Sequence, residues 1–220
     1  MGDGCLSTFV SGGNRNYIIR IDGHKRNDHH YFTNVLVPLI ERLFKKKTRI
    51  KYRKNYNIVF LCFGSKEIFT FLHSTGFPIG KKGNITIPDK LLAFGWNYVK
   101  HIIKGFADTD GCIYFTKNNK DMHYYPAIDI RSKSDALLKQ MHEALKSHGF
   151  SPYFRPTHLI LYGKQNLHKW MNEIGFSNIN HLSKILYYHT YNQCPPTSEL
   201  EFNDRINLWA RSSAVSDSTA

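Results

Sequence analysis

The stretch that most constrains this chain is His101–Tyr114, HIIKGFADTDGCIY. Ile102, Ile103, Phe106 and Ala107 fall at helical spacing, and the pattern runs back through Trp96, Tyr98 and Val99. The helix halts at Asp108-Thr109-Asp110-Gly111, and Cys112–Thr116 continues as a strand. Gly111 is expected to stop the helix in the left-handed conformation, which glycine adopts cheaply. Gly105 and Ala107 are small enough to let another backbone approach. The charges are misplaced for stability alone. Asp108 and Asp110 occupy the last turn, where the helix dipole is already negative and each carboxylate costs roughly 0.3–1 kcal/mol. A bound divalent cation offsets such a placement.

The chain carries a second copy of this signal. Asp3-Gly4-Cys5-Leu6 repeats Asp110-Gly111-Cys112-Ile113, and Ile21-Asp22 then matches Ile128-Asp129. Lys25 falls near Lys133. Arg53 ends a basic strand as Arg155 does, and Gly76-Phe77 follows an amphipathic segment as Gly175-Phe176 does. An ordered series of matches predicts two similar units in tandem.

Between the matched points the pattern predicts, in each half, a strand pair, a helix, a second strand pair and a helix. In the first half the strands are Cys5–Phe9 and Arg15–Asp22, followed by a helix through Phe44 that Asp28 caps and Pro38 kinks. Thr48–Lys54 pairs with Tyr56–Phe63, and Ser65–Ser74 closes the unit. In the second half Cys112–Thr116 and Tyr124–Arg131 flank a polar turn, Lys117–Asp121. Lys133–His148, Tyr153–Arg155, His158–Tyr162, Lys164–Ile174 and Asn178–Tyr191 follow. The class is α+β, with one antiparallel sheet per half. The expected boundaries are 1–80 for the first half, 81–94 for a Gly-, Pro- and Lys-rich linker, 95–192 for the second half and 193–220 for a tail. The last residues of that tail, Ala210–Ala220, have little to pack.

Charge excludes several function classes. The net charge is +13, and the first 94 residues carry +10 of it. Lys45-Lys46-Lys47 continues into Arg49, Lys51, Arg53 and Lys54, which suits a polyanionic partner, nucleic acid being the commonest. No apolar run approaches the roughly 18 residues of a membrane span, and no basic amphipathic helix stands out for a membrane surface. The four cysteines, Cys5, Cys62, Cys112 and Cys194, form no CxxC pair. A zinc site or disulfide framework is therefore not expected, and a reducing, intracellular setting is.

GFADTDG, with its shortened second copy at Asp3-Gly4, resembles the motif of the LAGLIDADG homing endonucleases, and the duplicated layout resembles their single-chain, two-motif members. The similarity runs from Met1 to about Asn192, and Asn178-Ile179-Asn180-His181 looks like the family's closing helix. The resemblance implies two pseudo-symmetric homing-endonuclease-like domains whose sheets form a saddle on double-stranded DNA. It implies a monomer with a pseudo-twofold axis, and site-specific double-strand cleavage dependent on Mg²⁺. Asp3 and Asp110 then occupy the metal-binding acid positions, Gly2 and Thr109 are where a backbone carbonyl adds a ligand, and Lys25 and Lys133 lie near the basic residues that organise solvent. The family also carries an apolar first-motif helix ahead of its first Asp-Gly. Only Met1-Gly2 precedes it here, and the sequence reads as a fragment whose start falls inside a longer chain.

On this architecture the DNA-binding set is Arg15, Tyr17, Arg20, Arg49, Lys51 and Arg53 in the first half, with Asp129, Arg131, Arg155 and His158 in the second. Such residues reach phosphates and major-groove base edges. The competing reading is a non-cleaving nucleic-acid binder of the same fold, an intron RNA maturase or a DNA-binding regulator, or a degenerate, inactive endonuclease.

Overall fold

The computed structural model describes residues 3–117 and 124–193. Gly2, most of the Lys117–Asp121 turn, Cys194 and the tail from residue 194 lie outside them. Two four-stranded antiparallel sheets dominate, ordered β1-β2-β4-β3 and β5-β6-β8-β7. The first comprises β1 (Gly4–Ser11), β2 (Asn14–His24), β3 (Ile50–Tyr52) and β4 (Ile58–Gly64). The second comprises β5 (Gly111–Lys117), β6 (Tyr124–Arg131), β7 (Pro152–Arg155) and β8 (His158–Tyr162). The order is the same, so the duplication read from the sequence is a duplication of structure.

Strand alternation sets which face each sheet buries. In the first sheet Leu6 faces Ile19, Ile19 faces Phe63, and Ile21 faces Leu61, which faces Ile50. These side chains join the first core. In the second, Ile113, Ile128 and Leu161 form one inward row and Ile130, Leu159 and Phe154 the next. Burying each such side chain contributes roughly 1.5–3 kcal/mol.

The helices cover the inward faces. After β2 come α1 (His29–Tyr31), a π-helical turn (Phe32–Leu36) and α2 (Val37–Phe44). The expected kink at Pro38 takes this form: proline lacks the N–H for the i−4 bond, and the wider turn sits just before it. Asp28 does not cap the helix with its side chain; its Oδ2 accepts from the His24 N–H at 2.7 Å instead. Then follow α3 (Lys66–Ser74), capped by Ser65, and α4 (Asp89–Leu92). The second half has α5 (Trp96–Asp110), α6 (Asp135–Ser147) capped by Ser134, α7 (Gly163–Glu173) and α8 (Ile179–Tyr191).

The segment expected as a linker is docked. Ile87 is fully buried in the second core, with Ile85, Leu91 and Leu92 packed around it. Upstream, the Gly80 N–H donates to the Leu6 carbonyl at 2.8 Å, so the chain returns along β1 before crossing over.

Candidate active site

Helix α5 turns its Val99, Ile103, Phe106 and Ala107 side into the second core. Its other side, with His101, Ile102, Gly105 and Thr109, lines an apolar cavity of about 370 Å³ shared with Leu6, Ile40 and Phe63 of the first half. No second backbone reaches Gly105, around which the space is open. The expectation of close backbone approach there is not met.

Gly111 is not left-handed; its φ is −90° and ψ 159°, which starts β5 directly. Space, not φ, demands the glycine: a Cβ there would lie 2.2 Å from the Ala107 carbonyl oxygen. The helix can therefore pass into a strand with no intervening loop, and Asp110 sits at that junction. Asp3 immediately precedes β1 in the first half. Cys5 and Cys112 repeat the same local geometry, each thiol lying 3.6 Å from the carbonyl of the following residue.

The two acids share one electrostatic environment. Burial pushes Asp3 up to about 7, and the Asp110 carboxylate is the next largest cause, ahead of Asp28 and Asp22. Burial also raises Asp110, while the Thr109 hydroxyl and Lys82 lower it. The mutual repulsion falls on Asp3 as the second of the pair to ionise. Lys82 is the cation that opposes this charge on both acids.

Asp108, two residues back on α5, does a different job. It is 2% exposed, and its Oδ1 accepts from the Ser177 and Asn178 N–H groups at 2.8 and 3.0 Å. Its charge, misplaced at the end of α5, is well placed at the start of α8. Asn178 caps α8 through its Oδ1, and its amide nitrogen donates to the Asp108 carbonyl at 2.9 Å and to Asp28 Oδ1 at 3.2 Å. Asn180 also donates to the Asn27 carbonyl. These bonds tie the 24–28 turn of the first half to the end of the helix that carries Asp110.

The remaining candidates separate. Lys25 is exposed, its ammonium 5.5 Å from the centre of the Tyr52 ring, and Lys133 is exposed; neither appears among the charges acting on Asp3 or Asp110. Lys82, which the sequence placed in a linker, takes that position, and no local pattern announces it. Arg20, Asp22, Phe60, Cys62 and Lys51 share the outward face of the first sheet by register. Arg49 and Arg53 flank it and are exposed. Tyr17 does not belong to that face: it packs edge-on against Phe69, ring centroids 5.2 Å apart, on the helix side. Arg15 shares its parity and lies exposed at the strand end. In the second sheet Arg131, His158 and Arg155 form one cross-strand row on the outward face.

The donor set fits a hard divalent cation. Two half-buried carboxylates converge with excess negative charge and no imidazole or thiol. Among the described residues no group of three or more His, Cys, Asp or Glu is placed to hold a metal ion. Two carboxylates with the remaining positions left to water and phosphate are the coordination Mg²⁺ prefers. No helix among the described residues is long and apolar enough to cross a membrane.

No family model matches the chain. One curated relative, the replication factor C small subunit of Thermococcus kodakarensis, is 26% identical over 183 residues; the match takes in 75% of this chain and 19% of the length of that relative. Solved structures are more informative. I-DmoI in complex with DNA and Mn aligns over 80% of this chain and 91% of its own, with a TM-score of 0.54 and 18% identity. The LAGLIDADG meganuclease I-AabMI bound to uncleaved DNA covers 87% of each chain at a TM-score of 0.53 and 12% identity. The K262A mutant of I-SmaMI covers 94% of each at 0.54 and 10%. The two repeated sheets, with an acid at the head of each, therefore form the fold of the LAGLIDADG homing endonucleases.

Proposed function

We propose that this chain is a site-specific endonuclease of double-stranded DNA, of the homing type, acting with Mg²⁺ as a pseudo-symmetric monomer. One observation carries the reading: Asp3 and Asp110 hold the same place in the two repeats and act on each other electrostatically across the interface between halves. Two buried carboxylates so placed, with Lys82 as their counter-charge, destabilise the fold unless a cation joins them. Support for the partner comes from neighbours solved with DNA, among them I-DmoI with its target DNA in the presence of Mg.

Hydrolysis of a phosphodiester needs an activated water and stabilisation of charge on phosphorus and on the leaving oxygen. Asp3 and Asp110 would hold the metal, with the Thr109 carbonyl as a further donor. When bound, Mg²⁺ supplies polarisation of the phosphate and acidification of water. The chain's own residues do the rest. Asp3 gives up its proton to accept the cation. Lys82 adds positive charge beside the acids. Asp108 and Asn178 fix the end of α5 so that Asp110 keeps its place. The basic outward faces bind backbone phosphates, which makes affinity strongly salt-dependent.

The test is nicking of plasmid carrying the gene's insertion site, with Mg²⁺ against Ca²⁺. Cleavage in Mg²⁺ that disappears in Asp110→Asn supports the assignment. Asp110→Asn cutting as fast as the parent contradicts it.

A further inference from the structure

The two sheets carry the same ion pair with its ends exchanged. Gly4 faces Ile21 in the first half and Gly111 faces Ile130 in the second, so Arg20 stands where Asp129 stands, and Asp22 where Arg131 stands. The next strands agree, since Ile21 faces Leu61 and Ile130 faces Leu159. Both pairs lie on the outward faces, one position beyond the residue that pairs with the glycine following each site acid.

Hydrogen bonding makes the pairs unequal. The Asp129 side chain is 2% exposed; it accepts from Arg131 Nε at 2.9 Å and lies 3.0 Å from His158 Nδ1. Among the described residues the terminal nitrogens of Arg131 make no hydrogen bond, and its side chain is 64% exposed. A guanidinium anchored by Nε presents two coplanar donors, the shape that bonds O6 and N7 of guanine. In the first half Asp22 takes both Nε and one terminal nitrogen of Arg20, at 2.9 and 2.6 Å. The Arg20 guanidinium also covers the Phe60 ring, 4.4 Å from its centre. The group presented at the position of Arg131 is therefore a carboxylate, 41% exposed. A carboxylate accepts from the N4 amine of cytosine and repels the acceptors of guanine.

Resting on the duplex-DNA reading above, we propose that these positions make the target site asymmetric beside its centre: guanine before Arg131, and cytosine before Asp22 at the symmetry-related place. Asp129 acts as the positioning residue for Arg131. A twofold-symmetric site puts guanine before both and sets Asp22 against an acceptor.

The experiment is selection of bound duplexes from a randomised pool by the full chain in Ca²⁺, for the parent and for exposed-site variants. The parent enriches guanine at one position of one half-site and cytosine at its symmetry mate. Arg131→Ala and Arg131→Lys each lose that guanine preference by on the order of tenfold, the energy of one bidentate contact, and leave other positions unchanged. The double variant Arg20→Asp with Asp22→Arg turns the cytosine preference into guanine, so the site becomes symmetric there. Asp129→Asn blurs the guanine preference with Arg131 still in place. A consensus unmoved by Arg131→Ala and by the double variant overturns the proposal while leaving duplex binding standing. A parent that enriches no duplex overturns both the proposal and the functional reading beneath it.

Discussion

The side-chain amide of Asn178 donates to Asp28 Oδ1 at 3.2 Å, joining the start of α8 in the second half to the 24–28 turn of the first. The same nitrogen serves the carbonyl of Asp108, and the Asp108 carboxylate receives the Ser177 and Asn178 N–H groups. One asparagine thus caps a helix, holds the end of α5 and bridges the halves. Asn178→Ala is expected to cost about 1–3 kcal/mol in denaturant unfolding, the sum of a lost cap and buried groups left unpaired. A loss within experimental error would mean the bridge carries no load.

Two glycines in and after α5 should respond oppositely to the same change. Gly111→Ala drives a Cβ into the Ala107 carbonyl, rigid helix backbone that has nowhere to move. It should lower stability by more than about 2 kcal/mol and displace Asp110. Gly105→Ala meets open space and gains about 0.5–1 kcal/mol of helix propensity. Thermal melting of the two variants checks the pair, and equal effects would refute the geometry.

His181 is buried against Phe176, ring centroids 4.7 Å apart, and burial with the nearby Lys184 lowers it from 6.5 to about 4. The unfolded chain takes up a proton below pH 6.5 that the folded chain refuses until about pH 4. Its contribution to stability is therefore full above the unfolded value and falls with pH across that window, by on the order of 3 kcal/mol. His181→Phe should flatten the decline in unfolding free energy over that range. An unchanged slope would place the acid sensitivity elsewhere.

Asp3 has the opposite linkage. Its folded value of about 7 exceeds the ordinary 3.8, so the folded state keeps a proton the unfolded state releases. Without a cation that contribution is full below the ordinary value and is lost as pH rises through about 7. Metal must displace the same proton. The rise in Tm produced by Mg²⁺ should therefore grow from about pH 6 to about pH 8, with proton uptake or release measurable by calorimetry in two buffers. A shift independent of pH would remove Asp3 from the ligand set.

Much of this was legible before any coordinates. Ile103, Phe106 and Ala107 announce a buried helix by their period, and Leu6, Ile19 and Ile21 announce a one-sided sheet by theirs. The repeat at Asp3 and Asp110 was visible because both acids sit on the same side of a turn of fixed length. Equivalence beyond the hairpin was not. The matched letters Ile21-Asp22 and Ile128-Asp129 are displaced in register, because 17 positions separate Gly4 from its partner and 19 separate Gly111 from its own. Tyr17 misled for a related reason: Arg20 lies three residues on, which in a strand is the other face. Lys82 was illegible in principle, since its approach to the acids depends on Gly80 bonding back to Leu6.

The central claim is that one carboxylate from each half holds a single metal site. The direct measurement is Mg²⁺-dependent cleavage, together with the Mg²⁺-induced rise in Tm, in Asp3→Asn, Asp110→Asn and the double variant. The account predicts that each single change removes both signals and that the double change does no further harm, as members of one site behave. Asp3→Asn that still cuts in Mg²⁺ and still gains Tm would contradict it.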